Sequence, residues 1–296
     1  MTDYLVLDDM KLEVCPIIPN NVTHLYLSNN KFTTLPNLPA KLIELRCSRN
    51  NLTSLPALPD TLKLLVCDNN KISSLPKLPE GLDVLGCHKN PLLDPLIIPA
   101  SLKVLVCYSC GLNDLPVLPN TLESLNCSRN NLLSLRDLPN SITSLDCSKN
   151  QIQSISNIPA ALLELDCSYN KLTSLPSISK NLSILKCGNN LIISLPTLNN
   201  TIRELACENN NLTTLPSLGD RLERLMCSVN KLSCLPELPV SLKYLDCMLN
   251  AFTKLPTLPN SIKYLWCDMH IDALPNRPTR LTYFHGEPLC YDSEEN

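Results

Sequence analysis

The 296-residue sequence is poor in glycine and in aromatic residues, with 6 Gly and 4% Phe, Trp and Tyr. A core built around large rings is therefore excluded. Neither charge sign dominates, since 25 Lys and Arg stand against 28 Asp and Glu. A dedicated nucleic-acid binder needs a basic excess to displace counterions from phosphates, so that class is excluded as well.

Long hydrophobic runs are also missing. No run of about 18 apolar residues occurs, which excludes a membrane-spanning helix. The first residues, Met1 to Asp8, have neither a basic flank nor an apolar stretch, so the sequence predicts no signal peptide. We therefore expect a cytoplasmic protein that has no membrane partner.

Proline and cysteine are abundant, with 25 and 16 residues, and both recur with a period of twenty. In rows of twenty from residue 1, the chain aligns with itself without a gap to about residue 269. The shared pattern is LxxLxCxxNxLxxLPxLPxx. Column five is Leu in all fourteen rows, and column seven is Cys in twelve successive rows, from Cys47 to Cys267. Column ten is Asn from Asn30 to Asn250, except at Cys110. This pattern predicts one array rather than two domains.

Each column has a physical reading. The Leu–x–Cys alternation predicts a short strand with one buried face, and strands stacked in register form a parallel sheet. The Asn that follows can satisfy backbone groups of its own coil and of the next one. The return leg is defined here as columns eleven to twenty, which lead from the turn to the next strand. Prolines in columns sixteen and nineteen exclude a regular helix on the return leg and favour an extended or polyproline-like path. The predicted fold class is a repeat solenoid with little helix.

The repeat, as in the stretch Leu122 to Asn130, resembles a leucine-rich repeat. Its short form with paired prolines is similar to the repeats of YopM and IpaH-type bacterial effectors, and cysteine-rich forms resemble giant-virus repeat proteins. The resemblance implies an effector-like horseshoe whose parallel sheet lines the concave face and binds a protein, with a host protein in the host cytoplasm as the kind of partner to expect. The large helical ligase domain of IpaH-type effectors has no counterpart in the sequence, so we expect no ligase activity.

The ends and a few rows depart from the repeat. We predict a degenerate N-terminal repeat or cap at 1–20, a repeat array at 21–280, and a C-terminal cap strand with a polar tail at 281–296. In row 81–100 the order Pro95-Leu96 reverses the usual Leu-Pro, which predicts a local bend in the convex wall. Rows 121–160 lack the first proline, at Arg136 and Ser156, and we expect looser packing there.

The regularly spaced cysteines allow three readings. Disulfides are disfavoured because parallel strands place facing Cβ atoms about 4.8 Å apart, whereas a bridge prefers about 3.8 Å. A zinc site would need a second ligand pair beside Cys107 and Cys110. The third reading, a small buried apolar filler, is favoured. We predict no metal and no cofactor, and we expect Cys110 to replace the column-ten Asn as a weak S–H donor.

Columns four, six and eight should point out of the sheet, and their polar residues offer two candidate chemistries. Ser48, Asp68 and His88 lie in successive rows, but the carboxylate would separate the hydroxyl from the imidazole, which is the wrong order for a triad. A second group holds adjoining carboxylates: Asp146, Asp166 and Glu164. These could form an acid–base pair or a hard-cation site, although a hydrated strip that attracts a basic partner is favoured. We predict no catalytic residue, no small-molecule substrate and no enzyme.

Two apolar clusters on the same columns are candidate partner-binding sites. The N-terminal patch consists of Leu64, Val66, Val84, Val104, Val106 and Tyr108. The C-terminal patch consists of Met226, Tyr244, Met248, Tyr264, Trp266 and Tyr283. The predicted function is therefore a non-enzymatic protein–protein interaction scaffold. The alternatives are a structural or particle component that self-associates, and an adaptor that recruits substrates to a ubiquitin ligase on another chain.

Overall fold

The computed structural model describes residues 3–270 and 273–288. It divides into two compact units, Met1–Gln151 and Ile152–Asn296. Each unit is a parallel β-solenoid with one coil per twenty residues, and the two contain about 14 coils. The described residues contain no α-helix, and therefore no helix long and apolar enough to cross a membrane. The predicted solenoid is confirmed. The predicted polar tail from Tyr291, and the expectation that Cys290 is the most exposed and reactive thiol, fall outside the described residues.

In the first unit, each coil contributes one strand to a parallel sheet. Neighbouring strands pair in register, so that Leu45 lies opposite Leu65 and Leu85 opposite Leu105. The strands are β1 (Asp3–Val6), β2 (Val22–Tyr26), β3 (Glu44–Arg46), β4 (Leu64–Val66), β5 (Val84–Gly86), β6 (Val104–Val106), β7 (Ser124–Asn126), β8 (Ser134–Leu135) and β9 (Ser144–Asp146). All of them belong to the sheet except β8, which lies on a return leg.

The second unit repeats this arrangement and ends in a hairpin. Its strands are β10 (Ser154–Ile155), on a return leg, β11 (Glu164–Asp166), β12 (Ile184–Lys186), β13 (Glu204–Ala206), β14 (Arg224–Met226), β15 (Tyr244–Asp246), β16 (Tyr264–Trp266), β17 (Tyr283–Phe284) and β18 (Glu287–Pro288). The strand expected after Leu281 is β17. It pairs parallel with β16 and antiparallel with β18. Between β17 and β18, His285 and Gly286 have φ values of 54° and 84°, the signature of a type I′ turn.

The core of each unit consists of repeated columns of leucine and cysteine. The column-five leucines from Leu25 to Leu265 and all twelve column-seven cysteines are buried. The fifteen cysteines in the described part of the chain are free thiols. Burial raises the pKa of most of the column-seven thiols, as at Cys187, which keeps them protonated and apolar. The prediction of a buried filler is confirmed.

The column-ten asparagines form a ladder along the turns. Asn190 Nδ2 donates to the carbonyls of Cys167 and Cys187, each at 3.1 Å, and its Oδ1 accepts from Leu172 N at 3.0 Å. Each asparagine therefore joins its own coil to the preceding coil, and the prediction that it reaches the next coil is wrong. The side-chain amide lies at the end of the strand, where the column-seven carbonyl of the preceding coil is buried and needs a donor. The Nδ2 group supplies that donor.

Cys110 interrupts this ladder as expected. Its Sγ donates to Cys87 O at 3.4 Å and to Tyr108 O at 3.7 Å, so the predicted S–H donor is confirmed. Leu92 N, which would meet an asparagine Oδ1 in a regular coil, bonds instead to Asn90 O at 2.9 Å. A cavity of about 460 Å³ opens on this return leg, lined by Leu75, Leu78, Leu92, Pro95 and Ile98 among others. The bend expected from Pro95-Leu96 stays a prediction.

Candidate functional site

The open face of each sheet, defined here as the side chains of columns four, six and eight, is where the candidate residues lie. In β4, β6 and β15 the central leucine is buried while the residues on both sides of it are half-buried. The predicted alternation is confirmed, and it places both apolar patches on the open face.

The C-terminal patch contains a continuous stack of rings, called here the aromatic cluster: Tyr244, Tyr264, Trp266 and Tyr283. The three tyrosines lie opposite one another on β15, β16 and β17. The rings of Tyr264 and Tyr283 are stacked with centroids 5.0 Å apart and 14° between their planes. The Trp266 ring lies 4.9 Å from that of Tyr244 and 6.4 Å from that of Tyr264. The structure therefore brings together all four aromatic residues of the predicted patch.

Solvent reaches this cluster from the open face. Tyr264 is 37% exposed and Tyr283 is 36% exposed, while Trp266 is half-buried. The hairpin turn lies beside the indole, because a Cβ added at Gly286 would be 3.5 Å from Trp266 Nε1. At the opposite end of the cluster, the Arg224 guanidinium lies 4.6 Å from the ring centroid of Tyr244. The rings thus have fixed neighbours on two sides and an open surface between them.

The two methionines of the same patch flank the cluster. Met226 lies opposite Asp246 in the sheet, and Asp246 lies opposite Trp266. Met248 follows β15, and its backbone N–H donates to Asp246 Oδ1 at 3.3 Å. Both methionines are half-buried. A carboxylate therefore stands between Met226 and the indole, a neighbour that the apolar pattern did not reveal.

The N-terminal patch is flatter and less exposed. Leu64, Val84 and Val104 lie opposite one another on three strands, and Val66 and Val106 lie on either side of Gly86. A Cβ added at Gly86 would be 3.4 Å from Val66, so the valine closes over the gap that glycine leaves. The patch residues are half-buried, which gives a partner less surface than the aromatic cluster does.

A polar chain along column eight borders that patch. Ser48 Oγ donates to Asp68 Oδ1 at 2.5 Å, and His88 Nε2 lies 3.2 Å from Asp68 Oδ2. The His88 ring stacks on Tyr108 at 4.1 Å. Burial alone would raise the pKa of Asp68, but hydrogen bonds from His88, Ser48 and Asn69 outweigh it and hold that pKa below its ordinary value. The carboxylate separates Ser48 from His88 as predicted, so these residues do not form a nucleophile–base pair.

Two carboxylates of the predicted acidic group, Asp146 and Asp166, cap local turns. Asp146 Oδ1 accepts from Ser148 N at 3.0 Å and from its Oγ at 2.7 Å. Asp166 makes the same pair of bonds with Ser168, at 3.0 and 2.6 Å. Within residues 3–270 and 273–288, no group of three or more acidic, histidine or cysteine side chains is arranged to hold a metal ion.

Sequence reasoning missed one carboxylate on the open face of the second unit. Glu208 lies over Gly188, since a Cβ added to that glycine would overlap the carboxylate. Glu208 Oε2 is shielded from solvent without a hydrogen-bond partner. Burial raises the pKa of Glu208, and the charges of Asp246 and Asp166 raise it further. The available signal was the glycine itself, at a column where the two preceding rows carry serine.

Comparisons with known proteins place this geometry among leucine-rich repeats. YopM from Yersinia enterocolitica WA-314 is 37% identical with a TM-score of 0.85, over 87% of this chain and 58% of that one. YopM from Yersinia pestis, a leucine-rich effector protein, is 29% identical with a TM-score of 0.73, over 90% of this chain and 88% of that one. The chain thus spans less than two thirds of the first relative and most of the second.

A third likeness concerns the fold alone. The functional domain of InlJ from Listeria monocytogenes, which includes a cysteine ladder, is 24% identical with a TM-score of 0.70, over 89% of this chain and 67% of that one. No family model and no curated protein matches the sequence. Leucine-rich repeat domains generally act as non-enzymatic scaffolds for protein interactions. The twenty-residue coils and the asparagine ladder thus form a leucine-rich repeat fold, and the short repeats are similar to those of YopM.

Proposed function

We propose that the protein is a non-enzymatic scaffold that grips a protein partner on its open face, the face expected to be concave, with the aromatic cluster as the anchor. One observation carries this proposal. A chain with 8 Tyr and 1 Trp in 296 residues places three of those tyrosines and its tryptophan in one stack on a solvent-facing surface. The core does not need these rings, because leucine and cysteine fill it.

The arrangement suits a binding hot spot for two physical reasons. Tyrosine and tryptophan are enriched among residues whose truncation costs a complex about 2 kcal/mol or more. In addition, rings that are already stacked lose little side-chain freedom when a partner arrives, and such ordering costs about 0.5–1.5 kcal/mol per side chain. The 5.0 Å contact between Tyr264 and Tyr283 supplies that preorganisation.

The N-terminal patch is the second contact in this proposal. It is apolar across three strands, and it borders the His88–Tyr108 stack. The free thiols support the further proposal that the protein works in a reducing compartment such as the cytoplasm.

The test is affinity purification from a cell lysate with the native chain and with a Tyr264→Ala/Trp266→Ala variant. We expect the variant to lose its principal partner. A Leu191→Ala/Ile193→Ala variant is the matched control, because these exposed residues (50% and 63%) lie on a return leg, and it should retain the partner. Circular dichroism checks that both variants fold. Capture of every partner by the Tyr264/Trp266 variant would exclude the aromatic cluster as the anchor, and a mass that rises with concentration would favour self-association.

A further inference from the structure

We infer that the segment bound by the aromatic cluster is a basic, extended stretch of the partner, with an arginine stacked on Tyr264 and Tyr283 and its charge met by the carboxylates beside them. This inference rests on the proposed function and names the chemistry of the partner. Three independent features of the second unit support it: an internal guanidinium on the same stack, the charge balance of the open face, and an unpartnered carboxylate oxygen.

The chain already places one guanidinium on this stack. Arg224 lies over the Tyr244 ring at 4.6 Å, within the range in which a cation is attracted to the electron-rich face of an aromatic ring. Tyr264 and Tyr283 continue the stack with nearly parallel planes, and both rings are exposed. A planar guanidinium stacks on such rings better than the compact, strongly hydrated ammonium of lysine. The exposed end of the cluster therefore offers a partner the contact that Arg224 makes at the other end.

The charges on this face favour a cation. Of its charged side chains in columns four, six and eight, six are carboxylates and two are cations. The carboxylates are Glu164, Asp166, Glu204, Glu208, Asp246 and Asp268, and the cations are Lys186 and Arg224. Both cations pair with the same carboxylate, Glu204, at 3.5 and 3.6 Å. Six negative charges minus two positive ones leave an excess of four negative charges, which attracts a basic segment and repels an acidic one.

The excess charge adjoins the rings. Asp246 lies opposite Trp266 in the sheet, and Asp268 is exposed two residues after the indole. Glu208, on the coil two before that of Tyr244, adds an oxygen that has no donor, and burial together with the charge of Asp246 disfavours its ionised form. A second basic residue of the same extended segment relieves this repulsion and supplies N–H donors to the Glu208 carboxylate. The cluster thus has an aromatic surface for the plane of an arginine and carboxylates for its charge.

The experiment uses the tryptophan as its reporter. Trp266 is the single tryptophan of the chain, so its fluorescence reports binding at the cluster. The probes are Gly-Ser peptides of equal length with regularly spaced arginine, lysine, citrulline or glutamate. We expect the arginine peptide to bind about tenfold more tightly than the citrulline peptide, which has nearly the same shape without the charge, and several-fold more tightly than the lysine peptide. The glutamate peptide should not bind, and added salt should weaken the arginine complex.

Variants separate the rings from the charges. Tyr264→Ala/Tyr283→Ala should weaken arginine-peptide binding about tenfold. Glu208→Gln/Asp268→Asn should weaken it several-fold and reduce its salt dependence. Glu80→Gln/Asp94→Asn, which removes two charges from a return leg of the first unit, is the matched control and should change neither. Anisotropy of labelled peptides confirms the affinity of each variant, since the fluorescence of Trp266 can itself respond to the tyrosine substitutions.

Two results would overturn the inference: equal binding of the arginine and citrulline peptides, or no change in Trp266 fluorescence at millimolar arginine peptide. Neither would overturn the proposed function, which depends on the lysate partner and the Tyr264/Trp266 variant. A different outcome would contradict the proposed function: the arginine peptide binds, but the Tyr264/Trp266 variant captures the lysate partner as well as the native chain does. The site for a basic segment would then still be supported.

Discussion

At the scale of single residues, the position before each ladder asparagine requires a left-handed backbone conformation. From Asn29 to Leu249, all twelve residues in column nine have a positive φ, between 52° and 57°. Asparagine tolerates this left-handed region, whereas a β-branched residue there is a genuine outlier. Val229, with φ 55°, is that outlier, and its side chain is 41% exposed. The strain at this position therefore has little burial to offset it.

We predict that Val229→Asn stabilises the protein by about 1 kcal/mol, because it removes the backbone strain and loses little burial. The backbone hydrogen bond from residue 229 to Met248 O, 2.9 Å long, is kept. Urea unfolding of the two proteins measures the difference. The reverse change in the same column, Asn209→Val, should destabilise. Equal stability of the native chain and Val229→Asn would show that the turn accommodates valine without strain.

A second prediction concerns pH. Hydrogen bonds hold the pKa of Asp68 in the folded state below its ordinary value of 3.8, so its ionised form stabilises the fold. That contribution is complete above pH 4 or so and declines as the pH falls below it. Asp68→Asn should therefore cost about 1.5–3 kcal/mol at pH 7, the range for hydrogen bonds to a charged group, and less at pH 3. Thermal unfolding at pH 7, 5 and 3 measures this trend.

Glu208→Gln is the control of opposite sign. The pKa of Glu208 is raised, so its ionised form disfavours the folded state, and removing the charge should stabilise the protein at pH 7. A difference between Asp68→Asn and the native chain that stays constant from pH 7 to pH 3 would contradict the assignment of an ionised Asp68.

Much of the residue-level picture follows from the period alone. The alternation of buried and outward columns, the buried thiols and the S–H donor at Cys110 all follow from a two-residue strand period and a repeated turn. Glu208 could not be predicted in the same way. The period gives the side of the sheet on which a side chain starts, but not that Glu208 leans into the gap above Gly188. The left-handed column was also missed, because arginine, lysine and asparagine share it without an obvious pattern.

At the scale of structural elements, the side chains of the asparagine ladder supply hydrogen bonds at the turns, beyond the reach of the short strands. The strands of the repeat are three residues long from β3 to β7. The ladder side chain then bonds across the adjoining turn, as Asn190 does through both its amide nitrogen and its amide oxygen. Its removal leaves the Leu172 N–H unpaired, and a buried unpaired group costs about 1–3 kcal/mol. The Cys167 and Cys187 carbonyls each lose one of two ladder bonds and keep the bond from Asn170 or Asn210.

We predict that Asn190→Ala destabilises the protein by about 3 kcal/mol, less than the sum of its bonds because the coil relaxes around the gap. Asn190→Cys should recover part of that loss, because a thiol at the same column donates at Cys110. Chemical unfolding compares these variants. Asn211→Ala is the matched control, since its backbone N–H keeps its 2.9 Å bond to Ile192 O. Equal losses for Asn190→Ala and Asn211→Ala would contradict the role of the ladder.

The elements that sequence reasoning missed follow from substitutions in the repeat. The return legs of rows 121–160, expected to be looser, contain the short strands β8 and β10. Both rows carry Arg136 or Ser156 where other rows have proline, so the backbone keeps an N–H that proline lacks. The antiparallel strand β18 was not predicted. It follows a two-residue turn with positive φ that includes Gly286, and so short a turn outside the repeat gives little signal in the sequence.

At the scale of the whole molecule, the buried column-seven thiol of each coil can report the stability of that coil. In a repeat protein each coil contacts only its neighbours, so opening can be local. The column-seven thiol of each coil, from Cys47 to Cys267, is protected from alkylation until its coil opens. The local opening of the array is thus measurable at twelve positions without any substitution.

We predict that these thiols are protected unequally. Among the cysteines that the structure describes, Cys234 is exposed and should react first with iodoacetamide at pH 8. Among the buried thiols, Cys87 should react before Cys187. Cys87 lies in the coil next to the one in which Cys110 replaces the ladder asparagine, and the return leg of its own coil, with Leu92 and Pro95, lines the cavity of about 460 Å³. Cys187, in contrast, accepts two ladder bonds on its carbonyl, from Asn190 and Asn210.

Mass spectrometry of the labelled peptides gives the rate at each thiol. Local opening lowers the protection of Cys87 without exposing Cys187, because a coil can separate from one neighbour while the coils beyond it stay packed. Equal rates at both thiols, with both rising together as urea is added, would instead mean that the buried thiols are exposed only by global unfolding. In that case the break at Cys110 would have no energetic consequence, since a single cooperative transition would determine the stability of every coil.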